Sequence, residues 1–191
     1  MSMLEKKISE NIQAHIDLLS LEPQLKIAIN KMTNCLRNGS KIMICGNGGS
    51  AADAQHLAAE FLIRLRPKIN RKAMPVISLA QDTSTITACG NDYSFENIFS
   101  RTFEALNKRG DILIVISTSG KSKNILNVLK TAKKKNIFSI ALLGSDGGVA
   151  KKLAKLPIIV NNKVTARIQE CHIFLGHHIF EEVENSIFDI K

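Results

Sequence analysis

Apolar residues recur with helical spacing over residues 3 to 37, at Leu4, Ile8, Ile12, Ile16 and Leu19. Pro23 divides this stretch into two helices, because proline cannot sit inside a continuous one. From residue 41 the rhythm changes. Lys41-Ile42-Met43-Ile44-Cys45 reads as a short strand, followed by a glycine-rich turn and a helical run from about Ser50 to Arg66. Pro75 to Leu79 reads as a second strand, and Asp111 to Ile116 as a third whose unbroken apolar character implies burial on both faces. Asn136 to Leu143 and Leu156 to Val160 supply a fourth and fifth, with helical segments between them that include Ser122 to Lys135 and a last one from about Thr165 to Phe188. Strand alternating with helix predicts a parallel sheet covered on both sides, a doubly wound α/β sandwich. No repeat or linker interrupts the pattern. The reading is one domain over 1–191, with 1–37 a helical extension and 38–191 the α/β core.

Composition narrows the class. The 191 residues are 45% apolar and 23% charged, enough apolar surface to offset the entropy of ordering. Lys and Arg exceed acids by 26 to 17, a formal charge of +9. Much of the surplus lies in residues 64–72 and in Lys130, Lys133, Lys134 and Lys135. A solvated surface is the plain reading, and steering of small anions fits the same numbers. With Tyr93 the lone tyrosine and no tryptophan, stacking platforms for nucleic acid are scarce. No window approaches the 20 or so apolar residues of a membrane span, and the charged opening residues carry no secretion signal. Cys35, Cys45, Cys89 and Cys171 are widely spaced and read as buried thiols of a reducing compartment, so the cytoplasm is expected.

Two strand-to-helix loops carry most of the chemistry. In doubly wound sheets, ligands bind beyond the carboxyl ends of the strands, where the winding reverses. After the first strand comes Gly46-Asn47-Gly48-Gly49-Ser50, and after the third Ser117-Thr118-Ser119-Gly120-Lys121-Ser122, each opening a helix. Glycines admit close backbone approach, and helix starts offer free N–H groups to anions. One hydroxyl suffices to cap a helix, so four within six residues favour a cradle for a phosphate monoester. The first loop lacks both the full dinucleotide fingerprint and the Gly-Lys-Ser/Thr ending of a nucleotide P-loop.

These two loops resemble those of the sugar-isomerase (SIS) domain, a flavodoxin-like fold. Cys45 to His56, Gly90-Asn91-Asp92-Tyr93 and Ala166-Arg167-Ile168-Gln169-Glu170-Cys171-His172 narrow the resemblance to the phosphoheptose isomerases, over about residues 10 to 185. Such a resemblance implies an aldose–ketose isomerase that converts sedoheptulose 7-phosphate to D-glycero-D-manno-heptose 7-phosphate through an enediol. It implies a substrate site at Asn47, Gly48, Gly49, Ser50, Glu60, Asn91, Asp92, Ser117, Thr118, Ser119, Ser122 and Gln169. It also implies one zinc ion on His56, Glu60, Gln169 and His177, with Glu60 and His177 as the catalytic pair. Where some members carry Asp before the Arg-Ile-Gln segment, this chain has Ala166.

The residues themselves say less. His56 and Glu60 stand at i and i+4 on one helix face, a spacing common for plain surface pairs. Gln169 and His177 are separated by roughly 12 Å along their helix and about 80° around it. They meet one ion only if their side chains converge; otherwise they serve different copies of the site. His15, His172 and His178 read as packing or surface residues.

Other readings differ in class. A relative that binds a replication initiator shares much of this pattern without catalysis, but lacks a carboxylate where this chain has Glu60. Another SIS enzyme, acting on a hexose phosphate or a muramic acid derivative, fits the last two motifs poorly, and direct nucleic-acid binding rests on charge alone. The apolar stripe of the first helix calls for a partner subunit. The resemblance implies a homotetramer with sites near its interfaces, feeding heptose to surface polysaccharide.

Overall fold

The computed structural model describes residues 1–190. Two helices open the chain, α1 (Met3–Asp17) and α2 (Glu22–Arg37), joined by a single 3-10 turn over Leu18–Leu21. Ser2 caps α1 in a reciprocal capping box with Glu5, and Pro23 occupies the first turn of α2, where its missing N–H costs nothing. The remainder runs β1 (Ile42–Gly46), α3 (Gly49–Leu62), β2 (Val76–Ser78), α4 (Thr83–Asp92), α5 (Ile98–Leu106), β3 (Ile112–Ser117), α6 (Lys123–Lys134), β4 (Phe138–Gly144), α7 (Ala150–Leu153), β5 (Leu156–Val160) and α8 (Thr165–Phe188).

All five strands are parallel, in the order β2-β1-β3-β4-β5. Alternation within each strand divides the core in two. Ile42, Ile44, Ile112, Ile114 and Ile116 point to the face covered by α1, α2, α3 and α8. Met43, Cys45, Leu113 and Val115 point to the face covered by α4, α5, α6 and α7. The winding of the sheet reverses between β1 and β3, so the loops that follow them open side by side at the carboxyl edge. The four cysteines are buried and unpaired.

Helix α3 is shorter than its periodicity predicts, ending at Leu62 rather than near Arg66. Its last carbonyls are taken by a side chain from outside the helix. Arg71 donates to the carbonyls of Glu60 at 2.7 Å and Phe61 at 2.9 Å, and to buried Glu184 of α8 at 2.7 Å.

One packing relation positions everything that follows. Helices α3 and α8 run parallel with a nearly constant offset, matching Gly49 with Gln169, Leu57 with Gly176 and Phe61 with Phe180. Gly176 sets their closeness, since a Cβ there would lie 2.6 Å from Leu57 Cδ1.

Candidate active site

The carboxyl-edge cleft is small and neutral. Asn47, Ser50, Ser117, Thr118, Ser119, Ser122 and Gln169 line a cavity of about 60 Å³ between the loops after β1 and β3. Gly49 stands at the start of α3, with the Gln169 side chain where a Cβ would be, 2.5 Å from its Nε2. The hydroxyls are not spent on capping α6. Ser122 is its N-cap residue and makes no side-chain cap bond. Ser117 and Ser119 accept from the N–H groups of Gly120 and Lys121 at 3.1 and 3.2 Å, which leaves each hydroxyl proton free to donate. Hydroxyl donors, free N–H groups and the positive ends of α3 and α6 are the kinds of group that can receive an anion.

Two to three turns along α3 lies a different chemistry. His56 Nε2 is 3.0 Å from His177 Nε2 and 3.3 Å from Glu60 Oε1, and His177 Nε2 is 3.5 Å from Glu60 Oε2. The three side chains form a set that could hold a metal ion. Glu60 Oε2 is closed off from solvent and has no hydrogen-bond partner. Burial raises the Glu60 pKa, with His177 and then His56 pulling it back. A cavity of about 580 Å³ opens beside the cluster, lined by Glu60, His177, His178, Glu181, Phe174 and Leu65.

The predicted residues thus fall into separate groups. Gln169 lies with the hydroxyl cleft and not beside His177, eight positions further along α8. Asn91 and Asp92 bond to each other at 2.8 Å at the end of α4. Asp92 faces a separate cavity of about 690 Å³ between α4, α5 and β2, away from the cleft. Ala166 is exposed at the start of α8.

Asp53, to which the sequence motifs assign no role, belongs here through its coupling to His56 and His177. Its Oδ2 is buried without a partner, and burial raises its pKa while His56 and His177 oppose the shift. The signal was present, since Asp53, His56 and Glu60 follow i, i+3, i+7 spacing and share one face of α3. His178 and Glu181 line the adjoining cavity and were visible only through the packing of α8.

This fold, with a hydroxyl cleft at its switch point, defines a SIS domain, and the SIS domain family model matches residues 7–144. The phosphoheptose isomerase of Campylobacter concisus is 46% identical over 188 residues, covering 96% of this chain and 98% of that protein. That of Clostridium acetobutylicum is 43% identical over 193 residues, covering 100% and 97%. A phosphoheptose isomerase structure from Neisseria gonorrhoeae superposes with a TM-score of 0.89 at 39% identity, covering 95% of this chain and 97% of that one. One from Francisella tularensis gives 0.91 at 35% identity, covering 97% and 100%. The chain belongs to the phosphoheptose isomerase family.

Proposed function

We propose that this protein is an aldose–ketose isomerase that converts sedoheptulose 7-phosphate to D-glycero-D-manno-heptose 7-phosphate. The observation that carries the reading is Glu60 meeting His56 and His177 on the helix pair whose upper end forms the hydroxyl cleft. Thr118, Ser119, Ser122, Ser50 and the N–H groups of Gly48 and Gly49 hold the phosphate, and that binding energy positions the reacting carbons. Glu60 removes the proton from C1 and returns it to C2. A carboxylate made more basic by burial suits that task. His177 protonates the oxygen on C2 as the enediol forms and takes back a proton from the C1 hydroxyl as the aldehyde appears, which restores it for the next turnover. Gln169, Asn91 and Asp92 orient sugar hydroxyls, the latter two once the segment around α4 faces the cleft of an assembled protein.

The donor set suits Zn²⁺, whose bonds of 2.0–2.2 Å in tetrahedral geometry space ligand atoms roughly 3.3–3.6 Å apart. His56, Glu60 and His177 are the ligands within one chain, and Gln169, roughly 12 Å along α8, joins the set only across a subunit boundary. Bound zinc supplies a Lewis acid for the sugar carbonyl.

The chain works as one domain in a homotetramer. Leu4, Ile8, Ile12 and Ile16 of α1 are each at least 50% exposed, an apolar stripe that a second copy would cover. Unpaired thiols fit a cytoplasmic setting, and among the described residues no helix is long and apolar enough to cross a membrane. The product would supply heptose for a surface polysaccharide.

The test is incubation with sedoheptulose 7-phosphate, with added zinc and with chelator, following aldose phosphate formation. Zinc-dependent turnover is expected. Turnover indifferent to chelator removes zinc from the mechanism, and no product in either arm overturns the isomerase reading.

A further inference from the structure

Asn124 lies in the first turn of α6 and is 2% exposed, the one fully buried polar side chain of that helix. Its amide meets that of Asn47, in the loop after β1, in a reciprocal pair. Asn124 Nδ2 donates to Asn47 Oδ1 at 2.9 Å, and Asn47 Nδ2 donates to Asn124 Oδ1 at 2.9 Å. Asn124 Oδ1 also accepts the N–H of Ile125 at 2.9 Å. Two antiparallel bonds between planar groups fix orientation as well as distance.

This pair joins the two halves of the cleft. One half hangs from β1 and leads into α3 on one face of the sheet; the other hangs from β3 and leads into α6 on the opposite face. Within the first loop the Asn47 carbonyl accepts the N–H of Ser50 at 3.1 Å, and the Gly48 carbonyl accepts that of Ala51 at 3.0 Å. Holding the Asn47 side chain therefore holds the whole turn. Asn47 lines the cleft, but its amide is turned into the protein and engaged; Asn124 does not line the cleft at all.

We propose that Asn124 is a positioning residue for the phosphate end of the substrate, acting through Asn47 to set the gap between the two loops. Asn47 serves the site as the anchor of its loop, and the loop's N–H groups face the ligand. The proposal rests on reading the cleft as the phosphate site.

A double-mutant cycle over Asn47→Ala and Asn124→Ala tests it, with inorganic phosphate as the binding probe and sedoheptulose 7-phosphate as the substrate. Displaced loops should weaken phosphate binding and raise KM by roughly ten- to hundredfold while kcat falls far less. If Asn124 acts through Asn47, the double variant is no worse than the single ones. Additive losses, or wild-type KM and phosphate affinity in Asn124→Ala, overturn the proposal. So does a parallel fall in kcat and melting temperature at unchanged phosphate affinity, the mark of a merely structural role. Should Asn124→Ala be too unstable to assay, Asn124→Asp keeps the volume and both acceptor contacts while losing the donor to Asn47, and the same comparison decides. Wild-type protein that binds phosphate without isomerising the sugar would overturn the substrate reading and leave the cycle interpretable. Wild-type protein that does not bind phosphate overturns both.

Discussion

The two ends of the α3–α8 pair make an instructive contrast. At the upper end, the cleft is built from two short loops and Gln169 of α8 and is lined by no charged side chain, so an anion there would be met by hydroxyls, N–H groups and helix ends. Two to three turns lower, the cluster is built from titratable groups brought together from distant parts of the chain. On the proposed reading, binding and chemistry are thus separated along one helix pair. A neutral cleft adds no titrating side chain of its own to anion binding, and the proposed proton-transfer group Glu60 sits apart from it, where burial raises its pKa.

Four substitutions, with a fifth as a control, test this separation. The largest effect is expected from Glu60→Gln, which should lower kcat roughly 10³- to 10⁴-fold while phosphate binding persists. Steady-state kinetics beside calorimetry with inorganic phosphate would read both, and substantial retained turnover would remove Glu60 as the base.

Next comes Glu184→Gln. The carboxylate is buried between Arg66 and Arg71, each donating at 2.7 Å. Uncompensated arginine charge should cost about 3–5 kcal/mol of stability, read from the urea midpoint. The same change at Glu22, in an exposed i,i+4 pair with Lys26, should cost well under 1 kcal/mol. Equal costs would mean the brace below the cluster is not holding it.

Third is the acid sensitivity of the helix pair. Burial pushes the His172 pKa from 6.5 down to about 4. Above pH 6.5 both folded and unfolded forms are neutral and the residue contributes no slope. Between pH 6.5 and 4 the unfolded chain takes up a proton that the folded one refuses, so stability falls as pH falls, by about 3 kcal/mol in total. His172→Leu should flatten that slope in urea titrations across the interval; an unchanged slope assigns the acid loss elsewhere.

The smallest effect is expected at the cleft itself. Ser122→Ala removes one of several donors and should raise KM roughly three- to tenfold at nearly constant kcat. A matching loss in kcat would show that cleft and cluster are not separable.

What could be read in advance follows the same division. The strands announced themselves because a doubly covered parallel sheet needs continuous apolar runs, as in Ile112 to Ile116. The cleft was legible because Ser117 to Ser122 and Asn47 to Ser50 are contiguous. His56 and Glu60 were legible as a pair through helical spacing. Their meeting with His177 was implied by the family resemblance alone and not by spacing, because it depends on the register of two helices, and that register is set by Gly176 against Leu57 and by Phe61 against Phe180. The early end of α3 was hidden for a similar reason, since Arg71 takes its carbonyls from outside the helix. No local pattern announces the amide pair between Asn47 and Asn124 either.

The constant offset between α3 and α8 also bears on how this chain can vary over evolutionary time. His56 and His177 are 121 positions apart, but their meeting depends on that span only through two packed helices. Loops between them can lengthen or shorten without disturbing the cluster. A single residue inserted between Gln169 and His177 is another matter, because it would turn the histidine by about 100° and shift it about 1.5 Å. Insertions and deletions in active relatives should therefore fall in the connecting loops and spare the first half of the last helix.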